Sequence, residues 1–472
     1  MSERDMDTAG GTGGWARLVL DAARGRSVDA TRGPVGEAIV LLAVPMVLEM
    51  VMESVFAVTD IFFVSRLGAD AVTAVGLTES LLTLIYTVAI GLSIGVTAVV
   101  ARRTGEGDRE GAARAAGQAI LLGLATSTVL AIAAAPRADA LLRLMGASEA
   151  VVAIGGTYAA IMIGGNAVIL LLFLMNAAFR GAGDAAIAMR VLWLANTINI
   201  VLDPLLIFGI GPFPELGVTG AAIATNVGRG TAVLIQLALL LRGAGVIHVV
   251  ARHLRLVPEV MGRLIRLSAT GTLQTFIGTA SYIGLVRIMA EFGSEAVAGY
   301  TIAIRIVLFA LLPAWGLANA AATMVGQSLG AGAPERAEAS VWIAGRMNLA
   351  FLGTIGALFL VGAPVLVGWF GGGAATGEYA VEALRIISLG FAFYAYGMVL
   401  TSSFNGAGDA WTPTFLNVLC FWLWEIPLAW VLAFDAGLGP TGVFVAITVA
   451  FSTLALASAL VFRRGRWKTV AV

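Results

Sequence analysis

The sequence is poor in charge and in the side chains that disulfides and nucleic-acid contacts require. Only 12% of its 472 residues are charged, whereas 59% are hydrophobic, an imbalance that a soluble domain would not show. The single cysteine, Cys420, excludes an internal disulfide. A net charge of zero, with one lysine in the chain, gives no sign of a nucleic-acid partner. A chain this apolar is predicted to be an integral membrane protein.

Histidine is almost as scarce, and the two histidines, His248 and His253, fall in a polar stretch between apolar segments. No HExxH zinc site or imidazole proton relay can therefore lie within an apolar segment, and we expect neither a metal site nor a cofactor. The GLSIG stretch at 91–95 matches the serine-hydrolase elbow, but that elbow needs a strand-to-helix turn and a nearby histidine. Inside an apolar helix such small residues instead favour close helix packing. The sequence thus disfavours a membrane-embedded enzyme.

Twelve apolar stretches are each long enough to cross a membrane as a helix of about 20 residues. They lie near 36–63, 72–101, 110–135, 149–178, 186–209, 217–241, 260–290, 295–327, 337–361, 377–404, 411–434 and 438–462. Residues 1–33 are predicted as a polar tail with a short amphipathic segment around 15–20, and 464–472 as a second tail. Residues 244–258, with both histidines, are predicted as a solvated linker.

Basic residues collect on one side of these spans. Both termini and every second loop carry 21 of the 29 lysines and arginines, five more lie within spans, and the opposite side has Arg66, Arg137 and Arg143. Because loops rich in lysine and arginine stay in the cytoplasm, both termini are predicted to be cytoplasmic. An even number of spans agrees with that orientation.

The chain contains an internal repeat. FRGAGD at 179–184 recurs as FNGAGD at 404–409, and the same offset of 225 relates Gly68 to Gly293 and Gly105 to Gly330. After these turns the offset slips, and LGVTGAA at 216–222 meets LGPTGVF at 438–444. The pattern predicts two six-helix bundles, at 34–243 and 259–463, whose even helix number makes them parallel. We expect a pseudo-two-fold axis along the membrane normal and a V-shaped cleft between the bundles.

The turns at the repeated motif are predicted to be structural. Their glycines permit a tight corner, and Asp184 and Asp409 can each cap the helix that follows.

Carboxylates in the first span are the strongest functional signal, since a charge at the membrane centre costs about 2.5–3.5 kcal/mol or more. Glu49, Glu53 and Asp60 point within about 40° of one another at about 100° per residue, so they form one acidic stripe. Pro45 lies on the same side and removes a backbone hydrogen bond, which predicts a conformational hinge.

The fifth and sixth spans add further polar groups. Asn199 and Asp203 lie four residues apart on one helix face, and Thr225 can face them. The second repeat lacks counterparts to the first-span acids, because Leu285 stands where Asp60 does, and its notable mid-span acid is Glu425. Ion coupling is therefore predicted to reside in the first bundle, with Glu49, Glu53 and Glu425 as accessory acids whose role stays open.

In order and spacing, motifs spread over about 36–463 make the chain resemble multidrug and toxic compound extrusion (MATE) transporters of the DinF-like prokaryotic branch. The motifs are Pro45, TDIFFVSRLGADAVTAVGL, VVARRTGEGD, FRGAGD, NxxxDPLLIFG at 199–209, AIRI at 303–306, AAATMVGQSLGAG, FNGAGD and the IPLAW around Pro427. The resemblance implies a monomeric secondary transporter of the prokaryotic cytoplasmic membrane that exports organic, often cationic, compounds against inward flow of H⁺ or Na⁺. It also implies that Asp60, Asn199, Asp203 and Thr225 bind the coupling cation.

Other interpretations of the same residues stay open. The buried acids can instead form static pairs with Arg287 or Arg305, and a lipid-linked oligosaccharide flippase of the same superfamily is an alternative function. Aromatic and methionine side chains can supply an adaptable, cation-attracting wall for substrate. The candidates for that wall are Phe56, Tyr86, Phe173, Met175, Tyr282, Trp315 and Tyr394.

Overall fold

The computed structural model describes residues 12–25, 30–370 and 373–472, and within these the chain forms helices and no strand. The α-helices, numbered α1 to α17 in chain order, are Thr12–Ala23, Val35–Val64, Ala69–Gly105, Arg109–Ala134, Ala138–Leu144, Glu149–Gly164, Asn166–Gly181, Ala185–Ile207, Val218–Arg242, Pro258–Met289, Ser294–Gly330, Pro334–Gly368, Ala374–Leu389, Phe391–Gly406, Trp411–Asn417, Ile426–Trp430 and Pro440–Arg463. Two π-helical segments, Val418–Glu425 and Val431–Asp435, flank α16 and join it into one continuous span with α15.

The predicted all-helical membrane fold is confirmed. Within the described chain, ten stretches are long and apolar enough to cross a membrane, and α13 with α14 form an eleventh that is bent by 59°. The remaining long helix, α10, has 32 residues, but its arginines, serines and threonines leave it too polar to count among these eleven. The bend between α13 and α14 falls at Gly390, 225 positions after the Gly165 that separates α6 from α7.

Reciprocal contacts between α3 and α11 reveal the pseudo-two-fold axis. A Cβ placed on Gly105 would collide with the backbone oxygen of Gln327, and one placed on Gly330 would collide with the backbone oxygen of Arg102. Each residue of the first contact has its repeat partner, 225 positions away, in the second. The two bundles therefore present the same surface to each other, as a two-fold relation requires.

A second reciprocal pair lies deeper between the bundles. Gly91 of α3 meets Thr272 of α10, while Gly316 of α11 meets the backbone of Val47 in α2, and the same offset relates the two contacts. Glycine is required at both points because any side chain would overlap the facing backbone. Small residues of this kind allow membrane helices to approach closely.

The GLSIG stretch is part of this packing, as predicted. It lies inside α3, and Gly95 faces the side chain of Ser268 in α10. Ser93 donates its hydroxyl to the backbone oxygens of Ala89, at 2.8 Å, and Phe173, at 3.2 Å, so it serves as a buried hydrogen-bond donor.

The bundles meet at one end of the molecule. We call this the basic end, formed by the corners at 106–108, 182–184, 243–257, 331–333 and 407–410. Hydrogen bonds between the bundles lie toward it: Ser268 to the oxygen of Leu92 at 3.3 Å, and Gln327 to the oxygen of Gly181 at 2.8 Å. At the other end, the described parts of the two bundles share no hydrogen bond. From this distribution of hydrogen bonds we infer that the predicted cleft opens away from the basic end.

The repeated corners fold alike but use their aspartates differently. Gly183 and Gly408 adopt φ values of +92° and +87°, which favour glycine in both copies. Asp409 accepts from the backbone N–H of Thr412 at 3.1 Å, so its predicted capping role is confirmed. The prediction for Asp184 is wrong, because its carboxylate instead accepts the N–H of Val246 at 2.7 Å and caps nothing on α8.

More than half of the linker residues 244–258 are exposed, His248 among them, but the expectation of a solvated side chain is wrong for His253. That residue is 3% exposed and lies 2.8 Å from the carboxylate of Glu110. Gln118 of α4 donates to the backbone oxygen of His253 at 3.0 Å and accepts the N–H of Val257 at 3.0 Å. These bonds tie the linker to the first bundle.

The predicted N-terminal tail contains a helix at the expected place. In α1, Leu18 and Ala22 are buried against Leu41 of α2. Residues 1–11 and 26–29 of that tail lie outside the described residues.

Candidate functional site

Three of the predicted cation-binding residues lie together in the first bundle. Asn199 of α8 donates from Nδ2 to the hydroxyl of Thr225 in α9 at 3.1 Å and to the carboxylate of Asp203 at 3.3 Å. Asp203 is fully buried, and Asn199 and Thr225 are 2% and 6% exposed. Gly228 permits this arrangement, because a side chain there would collide with the oxygen of Ala195 across the α8–α9 contact.

Asp60 completes the cluster from α2. Its side chain is buried, 7% exposed, and lies close enough to Asp203 for the two carboxylates to interact electrostatically. The structure thus brings Asp60, Asn199, Asp203 and Thr225 from three helices into one region of the first bundle.

The cluster contains buried oxygen atoms that accept no hydrogen bond within the described chain. Oδ1 of Asp60, Oδ1 of Asn199 and Oδ2 of Asp203 are buried and accept no hydrogen bond from the described residues. Buried acceptors are nearly always satisfied, so these three oxygens in one cluster are free to accept a hydrogen bond, a proton or a cation. No group of three or more His, Cys, Asp and Glu side chains among the described residues is arranged to hold a metal ion.

Glu49 and Glu53 belong to ion pairs within the first bundle. Glu49, 2% exposed, accepts from Arg180 of α7 at 3.0 Å and from the amide of Asn176 at 3.0 Å. Glu53 accepts from Arg229 of α9 at 3.0 Å. The alternative of static pairing named Arg287 or Arg305 of the other bundle. Arg287 instead forms its ion pair with Glu291, four residues later, and the described residues contain no ion pair that involves Arg305.

Sequence reasoning missed Arg180 and Arg229 as functional neighbours. The available signal was a charged side chain inside or at the end of a span, which needs an opposite charge nearby. Arg229 also contacts two of the predicted aromatic residues: it donates to the hydroxyl of Tyr86 at 2.6 Å and lies 5.2 Å from the ring centroid of Phe56. Phe173 packs 5.9 Å from the Tyr86 ring.

The other predicted wall residues lie elsewhere. Met175 and Tyr394, 2% and 3% exposed, are packed in the cores of the first and second bundles respectively. Tyr282 stacks on Tyr300 with ring centroids 5.7 Å apart, and Trp315 is 43% exposed. The aromatic groups therefore form no continuous surface with Phe56, Tyr86 and Phe173.

Pro45 lies inside α2, one turn before Glu49, and α2 continues through it from Val35 to Val64. The next residues, Met46 and Val47, are those whose backbone meets Gly316 of the second bundle. A change of bend at Pro45 would therefore act directly on a contact between the bundles.

Comparisons with known proteins agree with this architecture. The MatE family model matches residues 45–205 and 272–431. A probable multidrug resistance protein NorM of Thermotoga maritima is 27% identical over 448 residues, which covers 92% of this chain and 93% of that protein.

Two solved structures are similar over nearly the whole chain. A MOP superfamily transporter from Pyrococcus furiosus, described as having a binding pocket of reversed polarity that suggests a different function, has a TM-score of 0.88 at 26% identity and covers 94% of this chain and 100% of its own. A multidrug resistance MATE transporter in an outward-facing conformation has a TM-score of 0.87 at 27% identity, with 94% and 99% covered.

Proposed function

Because the chain belongs to the MatE family, whose model matches both of its halves, we propose that it is a secondary transporter that exports organic compounds in exchange for H⁺ or Na⁺. It resides as a monomer in the cytoplasmic membrane with its basic end toward the cytosol. The observation that supports ion coupling is the set of unpartnered buried oxygens on Asp60, Asn199 and Asp203.

The same cluster serves either coupling ion. A proton can neutralise Asp60 or Asp203, while Na⁺ can be held by carboxylate, amide and hydroxyl oxygens that include Thr225. Each positive charge that moves inward through 100 mV gains about 2.3 kcal/mol, which drives the cycle.

Ion binding changes the cleft through α2. Neutralising the cluster relieves repulsion between Asp60 and Asp203, and α2 responds by bending at Pro45. Since the backbone after Pro45 contacts Gly316, this bend loosens the contact between bundles. Substrate and ion then compete by shifting the population between states open to either side.

Substrate contacts are proposed for the face near Arg229, where Phe56, Tyr86 and Phe173 gather. Glu53 is part-exposed there, 30% by its side chain, and gives that face a carboxylate that a cationic compound can approach. The flippase alternative needs unpaired basic groups in a central cavity, whereas Arg180 and Arg229 are each paired with a glutamate.

Substitution of the cluster acids tests this function. Asp203→Asn and Asp60→Asn, purified and reconstituted in liposomes, should lose efflux of a fluorescent organic cation driven by a proton or sodium gradient. Asp70→Asn, at an exposed acid of α3, is the matched control and should transport normally. Normal gradient-driven export by both cluster variants would refute the proposal, and parallel runs with each ion alone identify the coupling ion.

A further inference from the structure

A buried carboxylate without a partner lies in the second bundle. Glu425 is 1% exposed and ends the π-helical segment Val418–Glu425, two residues before Pro427. No ion pair or hydrogen bond among the described residues involves it, and the cation cluster described above lies in the other bundle.

The repeat shows which residue of the first bundle Glu425 replaces. The backbone N–H of Asp184 donates to the backbone oxygen of Phe179 at 2.8 Å. In the second repeat, the backbone N–H of Asp409 donates to the backbone oxygen of Phe404 at 2.9 Å. At the other end of the helix, the backbone oxygen of Ile207 accepts the N–H of Gly217 at 3.1 Å. The backbone oxygen of Ala433 likewise accepts the N–H of Gly439 at 3.0 Å. Asp184 therefore corresponds to Asp409, and Ile207 corresponds to Ala433.

The two helices differ in length by one residue between these landmarks. Asp184 to Ile207 is 207 − 184 = 23 positions, and Asp409 to Ala433 is 433 − 409 = 24 positions. One extra residue in a helix produces a π-helical turn, and the π-helical segments Val418–Glu425 and Val431–Asp435 both begin within this interval. With the extra residue placed in the first segment, the repeat offset beyond it is 433 − 207 = 226, which makes Glu425 the counterpart of Asn199.

The rest of the first site has no polar counterpart. Asp60 corresponds to Leu285 at an offset of 225, and Asp203 corresponds to Ala429 at an offset of 226. Thr225 corresponds to Ile447 at an offset of 222, which is the offset between the matching glycines just before α9 and α17. Leu285, Ala429 and Ile447 are all buried, at 3%, 0% and 3% exposure. Since Na⁺, as a hard cation, needs several oxygen ligands, these residues leave it too few.

No positive charge compensates Glu425. The titratable groups that interact with it are Tyr300 of α11, Tyr394 of α14 and Cys420 of its own segment, all neutral as ordinarily protonated. On the helices packed against the segment, Arg263 pairs with Glu259, Arg287 pairs with Glu291, and Arg463 lies over the ring of Trp342. Arg266 of α10 and Arg305 of α11 are exposed, whereas Glu425 is buried.

We propose that Glu425 is a second ion site that takes a proton and excludes Na⁺. An isolated carboxylate buried in protein and lipid is too costly to persist, and a proton is the one cation small enough to neutralise it without further ligands. In this state the carboxyl carries its proton, and it releases that proton to water when the cleft or a cationic substrate reaches the segment. The role in transport rests on the proposed function, whereas proton binding does not.

Infrared spectroscopy of the purified protein tests proton binding directly. The difference between the wild-type spectrum and that of Glu425→Gln should contain the C=O stretch of one protonated carboxylic acid, separate from any band of Asp60, Asp203 or Asp184. Asp435→Asn, an exposed acid ten residues later, is the control and should keep that band. If Glu425→Gln fails to fold, Glu425→Asp still tests the proposal, because it should shift the frequency of the band rather than remove the band.

Each outcome decides the proposal. Absence of this band from the difference spectrum of folded Glu425→Gln, an unshifted band in Glu425→Asp, or loss of the band on adding Na⁺ would overturn it. Substrate-induced proton release in detergent should fall by a single proton in Glu425→Gln, and an unchanged release overturns the coupling role. If the wild type transports nothing, the proposed function fails while the infrared result still stands on its own.

Discussion

Glu49 and Asp203 are both buried carboxylates, yet the structure predicts opposite effects on stability when each is made neutral. Glu49 has Arg180 at 3.0 Å, and the side chains of the pair are 2% and 11% exposed, so solvent screens their attraction little. Removing one partner of a buried pair costs about 3–5 kcal/mol, because the other charge stays buried without compensation. In Glu49→Gln the new amide oxygen can still accept from Asn176, which places the loss near the lower limit, at about 3 kcal/mol.

A double-mutant cycle measures that loss. Glu49→Gln, Arg180→Gln and the double variant are unfolded in detergent, and the coupling free energy is read from the four stabilities. We expect Glu49→Gln to lower the folding equilibrium constant by about a hundredfold or more, and the double variant to recover much of it. Asp203→Asn is the contrast: it removes a carboxylate that has no counter-ion and should leave stability unchanged or raised.

A Glu49→Gln variant as stable as the wild type, or a double variant that loses the sum of the two single losses, would refute this prediction. Either result would show that Glu49 does not depend on Arg180 and would restore it as an ion-site candidate.

Two further predictions concern the basic end. Gly105→Ala should prevent α3 from reaching the backbone of Gln327 and so favour a state open at this end, seen as faster labelling of a cysteine introduced into the cleft; Gly353→Ala, with open space around it, is the control. Burial raises the pKa of Asp184, which the N–H of Val246 offsets only in part, so the protonated form is favoured in the folded protein. Stability contributed by Asp184 is therefore present below its unfolded pKa of about 3.9 and lost as pH rises through the folded value. Asp184→Asn should flatten the dependence of melting temperature on pH in that window, and an unchanged slope would contradict this assignment.

The fold was predictable because membrane length and repeat offset are properties of the sequence itself. Twelve apolar stretches and the pair Gly105 and Gly330 suffice to define two parallel bundles. The cluster of Asn199, Asp203 and Thr225 was equally accessible, since a spacing of four residues fixes a helix face.

Partner choice was not predictable to the same degree. Arg180 and Arg229 reach the acids of α2 from α7 and α9, and which helix faces which depends on packing that spacing does not encode. Asp184 and Asp409 share one motif, but only the former meets the linker at Val246. The π-helical turn before Glu425 adds one residue to the helix, and the spacing of apolar residues in the sequence does not reveal this insertion.

The two longest helices have a consequence for control of the transporter. α3 and α11 have 37 residues each. At about 1.5 Å per residue such a helix measures about 55 Å, while the hydrocarbon layer is about 30 Å thick. Because Arg102, Arg103 and Glu106 adjoin the crossing near Gly105 and Gly330, we expect the excess length at this end, which puts the crossing in water, within reach of dissolved salts and soluble proteins. The gate can be governed from the aqueous phase without any regulator entering the membrane.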